Sequence, residues 1–200
     1  MSGEYNKFQL FGESLREAYE DSKSNKLRLV SFQTTIVLEL KLTESNLFTI
    51  GPDPDNPSIY VNFHAFAANL FERRIFPTDP TWAIWAQREA HEKSPVKEPS
   101  IRAAYVLAAA QWIMWSGQSL FKQVIFTGDV SPNDLQCWTP GPLYGGDSRL
   151  SLRRWRFWKD SFSHVAFGGE KEEEAFVQES NKVAAKASQL MDSLERSMTH

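Results

Sequence analysis

From Arg88 to Glu92 the sequence REAHE packs two carboxylates and an imidazole into four residues, side chains able to hold zinc or move a proton. The spacing argues against both uses. Glu89 and His91 stand two apart and do not share a helix face, so the expectation is a solvated surface. The other histidines, His64, His164 and His200, are scattered, and neither Cys-x-x-Cys nor His-Glu-x-x-His occurs. No metal or cofactor is therefore implied. Asp53 and Asp55 alternate with prolines in GPDPDNP, which is turn chemistry. Cys137 is the single cysteine, with no basic neighbour in LQCWTPGP to make a thiolate, and is read as inert. GPLYGGDS is neither a phosphate loop nor a dinucleotide fingerprint, and there is no Gly-x-Ser-x-Gly elbow. A carboxylate pair among the 25 acidic residues stays open, because sequence gives no geometry. No catalytic residue can be named.

Tryptophan is the recurring element. Trp-x-x-Trp occurs at Trp82/Trp85, Trp112/Trp115 and Trp155/Trp158. Positions i and i+3 share a helix face, so each pair could wall an aromatic cage or fill a core. The core is the commoner outcome. In SLRRWRFWKDSF (151–162), a turn of about 100° per residue puts Leu152, Trp155, Trp158 and Phe162 on one face. Arg149, Arg153 and Arg156 fall on another face, with Lys159 at its boundary. Such a helix either anchors the fold through its tryptophans or offers its basic stripe to a nucleic acid. The anchor is the expectation, because Arg stems routinely cover aromatic rings.

These side chains need elements to carry them. Apolar spacing predicts helices at 9–19, 59–71 and after Asp79-Pro80, where a cap carboxylate precedes proline. Further helices follow Pro99 to about Phe126, from 151 to 162, and after FGGEKEEEA, where Val177, Ala184, Met191 and Met198 recur seven apart. Residues 103–121 carry no charge, but Gln111, Ser116, Gln118 and Ser119 argue for a core helix rather than a membrane span. Residues 127–150 read as a Gly/Pro-rich loop. Alternation at Phe32, Thr34, Ile36, Leu38, Leu40 and Leu42 reads as a strand, with LFTI returning beside it.

The expected fold is mainly α, a single-domain helical bundle of about five or six helices, with a small β-hairpin near residues 27–50. Its parts would be an N-terminal helix (1–26), a divergent strand-like segment and loop (27–58), and a helical core (59–198). Net charge is -3, which gives no general pull on nucleic acid. The acidic N-terminus lacks a signal pattern and the lone cysteine suits a reducing compartment, so the setting is read as soluble and intracellular, cytoplasmic or nuclear.

The strings VNFHAFAANL, AIWAQREA, AAAQWIMWSGQSLF, GPLYGG and RRWRFWKDSF, in that order, resemble an uncharacterised, mainly fungal, helix-rich family catalogued as a domain of unknown function. The resemblance covers about 59–194, with GESLREAY similar to an earlier helix. It implies a mostly α fold in an intracellular setting and supplies no activity or catalytic residues. It also implies a further helical segment upstream and a short loop where 27–50 reads as strand. A shortened N-terminus or a shifted exon boundary accounts for both departures.

Polar residues within those strings are Asn62, Arg88, Gln111 and Arg154. They either line a pocket between the Trp-bearing helices or satisfy buried backbone, and the second is the commoner role. The favoured functional reading is a non-enzymatic interaction or scaffold module with a protein partner. The alternative is a small-molecule-binding protein or an enzyme of unrecognised type with an aromatic-lined inter-helical pocket.

Overall fold

The structure, a computed structural model, describes residues 51–75, 79–126, 128–168 and 174–198. The expected N-terminal helix and the hairpin near 27–50 lie outside them. Ile50–His200 form one compact unit. Among the described residues the regular structure is six α-helices and one π-helical turn, with no strand.

Helix α1 (Pro57–Glu72) opens on a proline, where the missing N–H is an orphan anyway. It closes in a Schellman arrangement: Arg74 N–H donates to Phe71 O and Ile75 N–H to Leu70 O, with Arg74 in the left-handed region at φ 55°. Helix α2 (Thr81–Gln87) starts one residue later than Asp79-Pro80 suggests. Pro80 is the cap, while Asp79 Oδ1 accepts from Thr81 N–H. The helix then widens into the π turn Arg88–Glu92, which ends at an extended Lys93.

Helix α3 (Pro99–Ile125) is the centre of the bundle. Its alanines at 103, 104, 108, 109 and 110 are all buried, and such small side chains let neighbours approach closely. That burial explains the uncharged run better than lipid does. No helix among the described residues is long and apolar enough to cross a membrane. The helix kinks at Ser116, whose φ is -134° and whose hydroxyl donates to Trp112 O. At the next residue, a Cβ on Gly117 would sit 3.1 Å from Leu194.

The stretch 127–150, expected to be loop, contains a further short helix, α4 (Pro132–Cys137). A capping box starts it: Ser131 Oγ accepts from Asp134 N–H, and Asp134 Oδ2 accepts from Ser131 N–H. Helix α5 (Leu152–Gly168) and helix α6 (Ala175–Met198) complete the unit. Helices α1 and α6 pack on α3, and α5 packs on α6. The α6 stripe of Val177, Ser180, Ala184, Ala187 and Met191 is buried there.

Candidate functional site

The π turn, the loop after α4 and the start of α5 meet around one buried ion pair. Arg154 donates from Nε to Glu92 Oε1 (2.7 Å) and from Nη2 to Oε2 (2.9 Å), with both side chains 0% exposed. Trp158 Nε1 adds a donor to Oε1 at 2.7 Å, and Gly141 N–H adds one to Oε2 at 2.9 Å. The carboxylate thus accepts four hydrogen bonds, which fills its lone-pair sites. Arg154 Nη1 donates to Trp138 O (2.8 Å) and Ser148 O (2.9 Å), and the guanidinium lies over the rings of Tyr144 and Trp158.

Local sequence explains the meeting. Arg154 is four residues before Trp158 and shares its apolar face, so the charge points inward. On a continuous α-helix Glu92 would lie on the Trp85/Arg88 flank. The wider turn sets it back toward the face that buries Ile84, Gln87 and His91. The loop then approaches so closely that Gly141 is required: a Cβ there would stand 2.3 Å from Glu92 O. That same carbonyl accepts from Leu143 N–H at 2.9 Å. Gly141 and Tyr144 are buried while Leu143, between them in the loop, is 51% exposed.

A second set of donors fixes the approach to the loop. Trp85 Nε1 and Arg88 Nη1 donate to Cys137 O, and Arg88 Nη1 also reaches Thr139 O. Trp138 Nε1 donates to Thr81 Oγ1. Arg88 and Arg154 therefore converge on 137–139 and satisfy backbone carbonyls. Asn62 is exposed on α1, and Gln111 accepts from the exposed Trp115 on α3, so these two stand apart from that centre. The three Trp pairs do not form one surface: Trp82, Trp112, Trp155 and Trp158 are buried, Trp85 is half-buried and Trp115 is exposed.

The basic stripe is divided. Arg149 lies before α5 and is exposed; Arg153 is exposed, with Nη2 on Gly145 O and its guanidinium over Tyr144. Arg156 pairs with Glu195, and Lys159 with Asp192 and Glu195 on α6. The Lys159 hydrogen bond, with Arg196 beside it, holds the Asp192 carboxyl below the usual range. The expectation that REAHE is a solvated surface is overturned. Glu89 does face outward to Lys93, but His91 and Glu92 are buried.

Two buried imidazoles complete the inventory. His64 Nδ1 accepts from Trp112 Nε1 at 2.9 Å, and His91 packs edge-on against Phe162 with ring centroids 4.2 Å apart. Burial lowers each to a pKa of about 3. Neither can act as a base near neutrality, since each is sealed from water. Among the described residues no cluster of three or more His, Cys, Asp or Glu side chains could hold a metal.

The model of a family described as "Protein of unknown function (DUF3632)" matches residues 2–162. The chain belongs to this family. No curated protein and no solved structure matches it. The DUF3632 match takes in every partner in the buried centre, from Glu92 through Trp158, whereas α6 lies beyond it. Sequence reasoning reached Arg154 in this DUF3632 protein but missed Glu92 as its partner, and Gly141 and Trp158 as the further donors to Glu92. The available signal was a charge on an apolar face, which demands a buried counter-charge.

Proposed function

We propose that the chain is a non-enzymatic interaction module that presents the loop 141–149 to an acidic protein partner. Leu143 is the apolar anchor, and Arg149 and Arg153 are its basic flank. The observation that carries this reading is the contrast within the loop: Leu143 stands outside while its own N–H is held by Glu92 O, and Gly141 and Tyr144, which flank the exposed 142–143 pair, are buried. A side chain held in place beforehand loses little freedom on binding, which is how a single exposed residue gains affinity. The groups best suited to chemistry are already engaged by the contacts that hold the loop: Glu92 accepts four hydrogen bonds and the Arg154 guanidinium makes four. Protein fits better than nucleic acid, because Arg156 and Lys159 are engaged by α6 and too few cations remain for a phosphate track. An intracellular setting, with Cys137 reduced, belongs to the same proposal.

The test places a photo-crosslinking phenylalanine at Leu143, and in a second variant at the exposed Phe167, in living cells. A discrete adduct from 143 that disappears with Arg149→Glu/Arg153→Glu, and is absent from 167, is the expected result. No adduct from 143, or the same adducts from both positions, refutes the reading.

A further inference from the structure

A serine or threonine stands directly before proline three times in the chain, at Ser94-Pro95, Ser131-Pro132 and Thr139-Pro140. The fold treats the three hydroxyls differently. Ser131 Oγ accepts from Asp134 N–H and donates to Asp134 Oδ2, so it is occupied in capping α4. Thr139 Oγ1 donates to Gln136 O at 2.7 Å, and the Thr139 carbonyl is held by Arg88. Ser94 lies in the connection from the π turn to α3, where residues 93–98 are exposed without a break. Among the described residues nothing hydrogen-bonds to its hydroxyl or to the backbone of 94–97. The chain enters this stretch extended, with Lys93 at φ -107° and ψ 157°. Pro95 then keeps Ser94 out of the helical region, because its ring crowds the residue before it.

We infer that Ser94 is the phosphoacceptor of a proline-directed serine kinase. A kinase has to draw the acceptor hydroxyl and the residues on either side of it into its cleft as an extended strand. Here that costs no hydrogen bond, whereas Ser131 and Thr139 would first have to be pulled out of the fold. A proline after the acceptor suits an apolar pocket, since it brings no N–H in need of a partner. Lys97, three residues beyond the acceptor, supplies a cation for the acidic rim of such a cleft. The same position holds Asp134 after Ser131 and Pro142 after Thr139. In the transfer, Ser94 Oγ attacks the γ-phosphorus of Mg-bound ATP and a new O–P bond forms. The bond from that phosphorus to the bridging oxygen breaks, ADP leaves, and the hydroxyl proton passes to the kinase's aspartate. The product adds about -1.5 to -2 charge at neutral pH beside Lys93 and Lys97. Lys93 already pairs with Glu89, while Lys97 makes no ion pair among the described residues and is the neighbouring cation free to balance the phosphate. The inference makes no use of Leu143 or its loop, and shares with the reading above only the intracellular setting.

The test compares the full 200-residue chain with synthetic peptides centred on Ser94, Ser131 and Thr139. Each is incubated with a purified proline-directed kinase and ATP, and each site is followed by peptide mass spectrometry. Ser94 should react in the folded chain within about twofold of its peptide rate, whereas Ser131 and Thr139 should fall roughly tenfold or more below theirs. Lys97→Glu should slow Ser94 about fivefold or more with unchanged circular dichroism, because position 97 is exposed. Chain recovered from dividing eukaryotic cells should carry phosphate on Ser94, and Ser94→Ala should remove it. A folded chain in which Ser94 stays unmodified, or loses as much rate against its peptide as Ser131 and Thr139 do, overturns the inference. So does a rate that Lys97→Glu leaves unchanged, or cellular chain with no phosphate on Ser94.

Discussion

Replacing Glu92 by Ala strips four hydrogen bonds from one buried point and leaves Arg154, 0% exposed, without its counter-ion. Breaking a buried pair from one side costs about 3–5 kcal/mol, a large part of a total stability of about 5–15 kcal/mol. Arg154→Ala should cost a similar amount, because Glu92 is then the stranded charge and Trp138 O and Ser148 O lose their donor. The double variant separates this from ordinary truncation. With both charges gone the second removal strands nothing new, so the pair should be sub-additive by about 2–3 kcal/mol. It should not return to wild-type stability, since Gly141 N–H, Trp158 Nε1 and the two carbonyls stay unpaired at about 1–3 kcal/mol each. Urea denaturation followed by circular dichroism gives all four corners of the cycle. Single variants that each lose under about 1.5 kcal/mol, or costs that simply add, would refute the claim that this pair locks the loop.

Gly141→Ala drives a methyl against the Glu92 carbonyl and should destabilise by about 3 kcal/mol, with proteolysis opening first at 139–150. Trp158→Phe puts a smaller aromatic ring in place of the indole and removes the donor to Glu92, so urea titration should show a loss of about 2–3 kcal/mol, against about 3–5 for Trp158→Ala. His64 and His91 are neutral in the fold down to a pKa of about 3, while the unfolded chain takes up protons at about 6.5. Stability is therefore full above about pH 6.5 and falls by about 2 kcal/mol per histidine on reaching pH 5. His91→Leu should roughly halve that slope in melts across this range. Arg156→Glu should cost about 1 kcal/mol or less and matter less in high salt, and Glu195→Arg should restore it only in part, because the new cation stands beside Lys159.

The helices were legible wherever local chemistry punctuates the chain. Pro99 starts α3, and the heptad-spaced Val177, Ala184 and Met191 mark the buried side of α6, whereas α1 opens at Pro57, two residues before the expected start and inside a stretch read as loop. The anchor reading of SLRRWRFWKDSF also agrees with the buried Trp155, Trp158 and Phe162. The box at Ser131 and Asp134 was equally readable, but Gly and Pro on either side concealed a helix of six residues. Glu92 was not legible, because a wheel drawn at constant pitch cannot anticipate a π turn that rotates one residue inward. Nor does spacing along the chain reveal a pair whose members are 62 residues apart. The hydrogen bonds by which Arg88 and Arg154 hold 137–139 come from tertiary approach, which no local pattern encodes.

The distance between those two partners has a consequence for how the protein forms and comes apart. The cradle for the Glu92 carboxylate is complete only when the π turn, the loop at Gly141 and the start of α5 are all in place. Until then the charge is best left hydrated, since burying it alone is the most expensive step available. Its contacts should therefore form after the rate-limiting step and be the ones whose loss is felt on the way out. Stopped-flow measurements should find Glu92 and Arg154 variants refolding at nearly the normal rate but unfolding far faster. The buried pair would then act as a latch on the native state, setting its lifetime rather than the speed of its arrival.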